Sequence, residues 1–123
     1  MYLANGREVD FEYVLPGLMR LRNLTMNFVS EHRIQPKNPQ MFADFFNHTV
    51  RLPNFWNNFE VLDLHFMQRT DVVAFINAVD QSQGIFLYRW GDAPLRFIMF
   101  AMFADHSQIV HRKELKLEYC HPC

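Results

Sequence analysis

Two carboxylates in this sequence stand beside aromatic side chains. Glu60 ends the run Asn54-Phe55-Trp56-Asn57-Asn58-Phe59-Glu60, and Asp92 sits inside Tyr88-Arg89-Trp90-Gly91-Asp92-Ala93-Pro94. Two carboxylates on neighbouring strand ends suit glycosyl chemistry. One faces the anomeric carbon, where positive charge develops, and the other handles a hydroxyl proton or holds an acceptor. His121 near a strand end could bind a metal that neutralises a diphosphate leaving group. Other readings of these residues stay open. Asp92 is equally an N-cap. The asparagine-aromatic run suits a sugar or nucleotide pocket, but also a capped loop that packs its rings. The six histidines are mostly surface or core groups. Cys120-His121-Pro122-Cys123 has the spacing of a redox pair or half a zinc site, with too few ligands for a structural zinc. The chain has no Walker loop, no G-x-G-x-x-G, no H-E-x-x-H and no G-x-S-x-G.

The elements that must position these groups are legible in outline. Val9, Phe11 and Tyr13 alternate with acidic residues, which predicts a strand, preceded by a turn at Asn5-Gly6 and broken by Pro16-Gly17. Leu18, Leu21, Thr25, Phe28 and Val29 predict a helix from Leu18 to His32. Met19 and Met26 widen its stripe, and Arg20, Arg22, Asn23 and Asn27 face water. Asn38-Pro39 predicts a second helix start, with Met41, Phe42, Phe45 and Phe46 on its apolar face. Val61 to Leu64 reads as a short strand. Thr70 caps a helix from Asp71 to about Asp80 that turns Val72, Val73, Ile76 and Val79 inward. Ile85 to Tyr88 reads as a strand feeding an elbow at Trp90 to Pro94, where Gly91 gives backbone freedom and Pro94 fits a first helical turn. An almost wholly apolar helix, Ala93 to Ala104, leaves the elbow. Ile109-Val110 reads as a last strand and Lys113 to Glu118 as solvated surface. This order is α/β in class.

Composition bounds the rest. A chain of 123 residues, 50% hydrophobic and 15% aromatic with 13 Phe, holds one small domain with a real core. A net charge of −1 gives no broad field to recruit nucleic acid or an acidic membrane. The longest apolar run, Phe97 to Ala104, is far below the ~20 residues of a spanning helix. The first residues lack the basic and apolar regions of a signal peptide.

Three segments together carry a family resemblance: Phe55-Trp56-x-Asn58-Phe59-Glu60, then Arg89-Trp90-Gly91-Asp92-Ala93-Pro94, then Tyr119-x-His121. In order and spacing they resemble the fungal-type Golgi α-1,2-mannosyltransferases, glycosyltransferase family 15. Residues 52–121 match well and 1–51 only loosely, within a single partial domain over 1–123. The resemblance implies a partial GT-A-like nucleotide-sugar transferase fold, its C-terminal half, with a mixed sheet and flanking helices. It also implies retaining transfer of mannose from a GDP-mannose donor to a mannose-containing glycan or glycoprotein acceptor, a divalent metal such as manganese, and a Golgi setting. By position, Glu60 matches the carboxylate near the anomeric carbon, nucleophile or stabiliser. Asp92 matches the elbow aspartate near the acceptor, and His121 the metal-binding histidine. Trp56, Asn58, Arg89 and Trp90 match residues around the same pocket.

The sequence also departs from the family pattern. It lacks the upstream Glu-Pro-Asp metal motif, the stem and the membrane anchor. Asn54 replaces a histidine, Asn57 a serine, Tyr88 a glutamate and Pro53 a cysteine. The expectation is therefore the C-terminal portion of such an enzyme, a gene fragment or shortened paralogue. The alternative is a non-catalytic remnant that keeps the sugar-site shape and serves as a binding or interaction module.

Overall fold

A computed structural model of the chain describes residues 2–10, 15–47, 52–111 and 114–116. Three strands form one mixed sheet in the order β2-β1-β3. The first, β1 (Tyr2–Asp10), pairs antiparallel with β2 (Leu52–Leu62) and parallel with β3 (Ile109–His111). Between β1 and β2 run α1 (Leu15–His32) and α2 (Pro39–Asn47). Then α3 (Leu64–Met67), α4 (Thr70–Ser82), α5 (Gly84–Leu87) and α6 (Asp92–Phe103) precede β3.

The sheet corrects several local expectations. Asn5-Gly6 does not turn the chain; it lies inside β1 at an irregularity in the pairing. The first strand therefore starts earlier than Val9, and Phe11 and Tyr13 of the expected alternation lie outside the described residues. The asparagine-aromatic run is not a loop but the middle of the 11-residue β2. Pairing along β1 supplies the backbone partners that override asparagine's weak strand preference. Strand β2 stops at Leu62 because Asp63 caps α3, its carboxylate accepting from the His65 N–H at 2.9 Å. Leu64 thus starts a helix rather than ending a strand.

The largest correction concerns residues 85–88. They form no strand. Gln83 takes a left-handed conformation, φ 58°, and α5 follows at once. Ile85, Phe86 and Leu87 are 44%, 77% and 66% exposed. A β-branched residue beside aromatics reads as a strand, but among the described residues no strand pairs with this segment, and α5 satisfies the backbone locally.

The helices follow the sequence more closely. Helix α6 is the centre of the core. Phe97, Ile98, Phe100, Ala101 and Met102 are all at most 2% exposed. Its rings meet Phe55 of β2 (Phe97 at 5.2 Å) and Phe66 of α3 (Phe100 at 5.1 Å). Phe28 of α1 packs edge-on to Phe75 of α4 at 5.3 Å. Each fully buried Phe contributes about 1.5–3 kcal/mol of transfer free energy. The last carbonyls of α6 are filled from outside the helix. The Lys37 and Asn38 N–H groups donate to Met102 and Ala101, and the Arg69 guanidinium to Phe103, each at 3.0 Å.

Some faces turn differently from the spacing. In α4 the buried set is Val72, Phe75 and Val79, while Val73 and Ile76 are each 39% exposed. Thr70 is the first residue of α4 and Arg69 its cap position. In α1 the methionines Met19 and Met26 are exposed. Arg22 is buried instead of facing water, and its Nε donates to the Phe45 carbonyl at 3.0 Å. Burial holds its pKa below the ordinary arginine value. Pro16-Gly17 falls in the first turn of α1, where a proline costs no hydrogen bond.

Candidate functional site

The two predicted carboxylates meet one seam, where α6 lies on β2. Asp92 opens α6, with Gly91 in the cap position. Its Oδ1 accepts from the Ala93 N–H at 3.0 Å, and its Oδ2 from Asn57 Nδ2 of β2, also at 3.0 Å. A carboxylate in a first helical turn also gains from the helix dipole. So Asp92 does help start the helix, although not as its cap, and it is fixed by a side chain from another element. Asp92 is exposed.

Glu60 reaches the same helix one turn further on. Its Oε1 lies 3.5 Å from Arg96 Nε, and the two side chains are 20% and 25% exposed. Asp92 and Arg96, four residues apart, share one face of α6. Asn57 and Glu60, three residues apart, would point to opposite faces of a regular strand. Strand β2 is not regular there. Ala4 pairs with Glu60 and Gly6 with Trp56, so two steps along β1 face four along β2. This bulge lets Asn57 and Glu60 both reach α6. Bulges of this kind re-aim side chains and are frequent beside active sites.

The other oxygen of Glu60, Oε2, is buried and has no hydrogen-bond partner among the described residues. Shielding a carboxylate oxygen without a donor costs free energy, so such a group calls for an explanation beyond packing. The side chain of Asn54, six residues earlier on β2, is in a similar position: its Oδ1 is buried without a partner.

The remaining predicted residues fall in different places. Trp90 is 7% exposed. Its Nε1 donates to the Gly17 carbonyl at 2.9 Å, tying the elbow to α1. The indole lies against Gly84 so closely that a Cβ there would fall 2.1 Å from the ring. Arg89 is exposed and holds a left-handed φ of 55°. That conformation is uncommon outside glycine and is stored where surrounding contacts impose it. Trp56 and Asn58 belong to β2 by their backbone, and their side chains lie outside the described residues. His121, Cys120 and Cys123 lie outside them as well.

Arg96 and Asn57 are the groups that sequence reasoning passed over as site residues. The four-residue spacing from Asp92 was the available signal for Arg96. Nothing local marked Asn57 as the partner of a residue 35 positions away. Asp92 and Arg96 also line a hollow of about 230 Å³, with Phe75, Val79, Leu95 and Met99 among its other walls.

Among the described residues, no group of three or more His, Cys, Asp or Glu side chains is placed to hold a metal ion. The donors present there do not by themselves make a metal site. Among the same residues, no helix is long and apolar enough to cross a membrane.

Comparison with known proteins identifies the family. The sequence pattern of the family described as glycolipid 2-alpha-mannosyltransferase, glycosyltransferase family 15, matches residues 15–122. The chain is 31% identical over 98 residues to the probable mannosyltransferase KTR4 of Saccharomyces cerevisiae, covering 69% of this chain and 21% of that protein. It is 32% identical over 109 residues to glycolipid 2-alpha-mannosyltransferase 2 of Candida albicans, covering 81% of this chain and 22% of that one. Among solved structures, it resembles core-mannan synthase A of Aspergillus fumigatus in its Mn/GDP form. The TM-score is 0.76 at 25% identity, over 89% of this chain and 32% of that one. It also resembles the mannosyltransferase Ktr4p of S. cerevisiae in complex with GDP. There the TM-score is 0.69 at 26% identity, over 89% of this chain and 30% of that one. The chain thus spans about a fifth of the length of these curated relatives. A family pattern running through residues 15–122 makes this chain a member of the glycolipid 2-alpha-mannosyltransferase family of glycosyltransferases.

Proposed function

We propose that this chain contributes two active-site carboxylates of a retaining α-1,2-mannosyltransferase, Glu60 near the anomeric carbon and Asp92 near the acceptor. The enzyme transfers mannose from GDP-mannose to a mannose-containing glycan or glycoprotein in the Golgi, on a GT-A-like fold of which this chain is the C-terminal part. The observation that carries the reading is the β2–α6 seam. It anchors Glu60 and Asp92 on one face and leaves Glu60 Oε2 buried without a donor. The GDP bound in the related structures supports a guanosine-diphosphate donor.

The roles follow from the surroundings of each carboxylate. Retention requires that the acceptor oxygen end on the face the leaving group departs from. A carboxylate near the anomeric carbon serves this either as nucleophile or by stabilising the developing oxocarbenium charge. Glu60 is suited to that task. Arg96 orients it through one oxygen, and a carboxylate held in place stabilises a developing cation without reorganising. Asp92 is exposed and oriented by Asn57, so it can accept a hydrogen bond from an incoming hydroxyl. Trp90 and Arg89 shape the elbow that carries it, and Trp56 and Asn58 sit on the same strand as Glu60. Manganese belongs to the proposal through the related Mn/GDP form and His121. No step above depends on it.

The test is a donor assay on the purified chain with GDP-mannose and manganese, reading GDP release and mannose transfer to α-mannobiose. Glu60→Gln and Asp92→Asn should each lower the rate by about a hundredfold to ten-thousandfold. Equal rates for either variant and the parent chain would remove that residue from the mechanism.

A further inference from the structure

Away from the seam, α1 and α4 diverge around a groove of about 680 Å³ that the reading above does not use. Its existence follows from small residues. Ala74 and Ala78 line it from α4, where larger side chains would close the gap. Amides dominate the exposed walls: Asn23 and Asn27 one turn apart on α1, Asn77 and Gln81 one turn apart on α4. The floor is aromatic. Tyr88 lies 5.9 Å from the Trp90 ring, and the Arg20 guanidinium sits 5.7 Å over Tyr88. Arg20 and Glu31, also lining the groove, offset each other in charge.

This lining selects a chemical class. Primary amides offer donor and acceptor side by side, which matches adjacent hydroxyl groups. The Ala74 and Ala78 methyls and the edge of the aromatic floor take apolar C–H surface. Near-neutral walls give no advantage to an anion or a cation. A groove open to solvent and this large accommodates several linked rings rather than one. We propose that the α1–α4 groove binds a neutral oligosaccharide, its rings lying along the gap beside Ala74 and Ala78 and its hydroxyls held by Asn27 and Asn77. The elbow joins this groove to the seam, since Tyr88 and Trp90 precede Asp92 by four and two residues. A glycan held there would extend toward the site without being part of it. The choice of a mannoside probe rests on the transferase reading; the carbohydrate class rests on the groove itself.

The experiment is a titration of the full chain, without donor or metal, followed by the side-chain amide signals in ¹H–¹⁵N spectra. The probes are α-1,2-mannotriose, maltotriose and GDP. The expected result is a saturable shift of the Asn27 and Asn77 amides with mannotriose at concentrations on the order of 10 mM. Affinity should fall at least about fivefold in Asn27→Ala and in Asn77→Ala. Both positions are exposed on helices, where alanine is the better helix former, so these variants should keep the parent's melting temperature. A response to maltotriose as well would support a general oligosaccharide groove, and one to mannotriose alone a mannoside groove. No shift with either trisaccharide, shifts with GDP as large as with sugar, or unchanged affinity in both variants would overturn the proposal. Because the donor is absent, failed transfer leaves this result untouched. Transfer without groove binding would overturn the groove alone.

Discussion

Trp90 shows how a single side chain can fix the position of a neighbouring loop. Its indole closes the space above Gly84, and its N–H holds the Gly17 carbonyl. Gly84→Ala should therefore destabilise the chain, because the added methyl must displace a buried ring. The cost should be about 1–3 kcal/mol by chemical denaturation. Trp90→Phe keeps most of the packing and loses the hydrogen bond, at about 1 kcal/mol. A melting temperature unchanged in both variants would show that the elbow is not held from below. Arg22 is a second such residue. Arg22→Met would leave the Phe45 carbonyl without this donor and should cost about 1–3 kcal/mol.

At the scale of elements, the decisive feature is the bulge in β2. It turns Asn57 and Glu60 to the same helix, which regular alternation forbids. Asn57→Ala should free Asp92 from β2 without unfolding the strand. Transfer should then fall about tenfold while the melting temperature stays near the parent value, since one partly exposed hydrogen bond is worth about 1 kcal/mol. The start of α3 gives a pH-dependent case. The backbone N–H of His65 holds the Asp63 carboxyl below its ordinary value. A depressed carboxylate stabilises the fold above its unfolded pKa and loses that contribution as pH falls through the folded one. Amide protection in α3 should thus decline on acidification below about pH 4, and Asp63→Ala should remove the pH dependence. Protection equal at pH 6 and pH 3 would argue against the cap.

On the scale of the molecule, α5 stands out as a short helix with two large apolar side chains in water. Phe86 is 77% exposed and Leu87 66%. Exposed groups of this size promote association. The double variant Phe86→Ser, Leu87→Ser should raise the concentration at which the chain stays monodisperse in light scattering, at no cost in melting temperature. Metal binding is also a property of the whole assembly of donors. Manganese prefers several carboxylate and water oxygens, and one matched imidazole is a poor substitute. Calorimetry should show manganese held weakly by the chain alone and more tightly once GDP supplies phosphate oxygens. Tight binding without nucleotide that His121→Ala abolishes would reveal a further ligand.

What the sequence determined by itself was local and chemical. Asn38-Pro39 marked a helix start, and the unbroken apolar run from Phe97 to Ala104 marked the central helix. The motifs around Glu60 and Asp92 marked them as candidates. These signals survive because capping, helix periodicity and family motifs act over a few neighbouring residues. Tertiary structure alone decided the rest. The asparagine-aromatic run became a strand because β1 lies beside it. Residues 85–88 did not, because no strand among the described residues pairs with them. Arg22 went inside because α2 offers its Phe45 carbonyl. A strand's partner, a bulge and a buried arginine's acceptor all lie tens of residues away in sequence. Their energies come from contacts that no short window of residues contains.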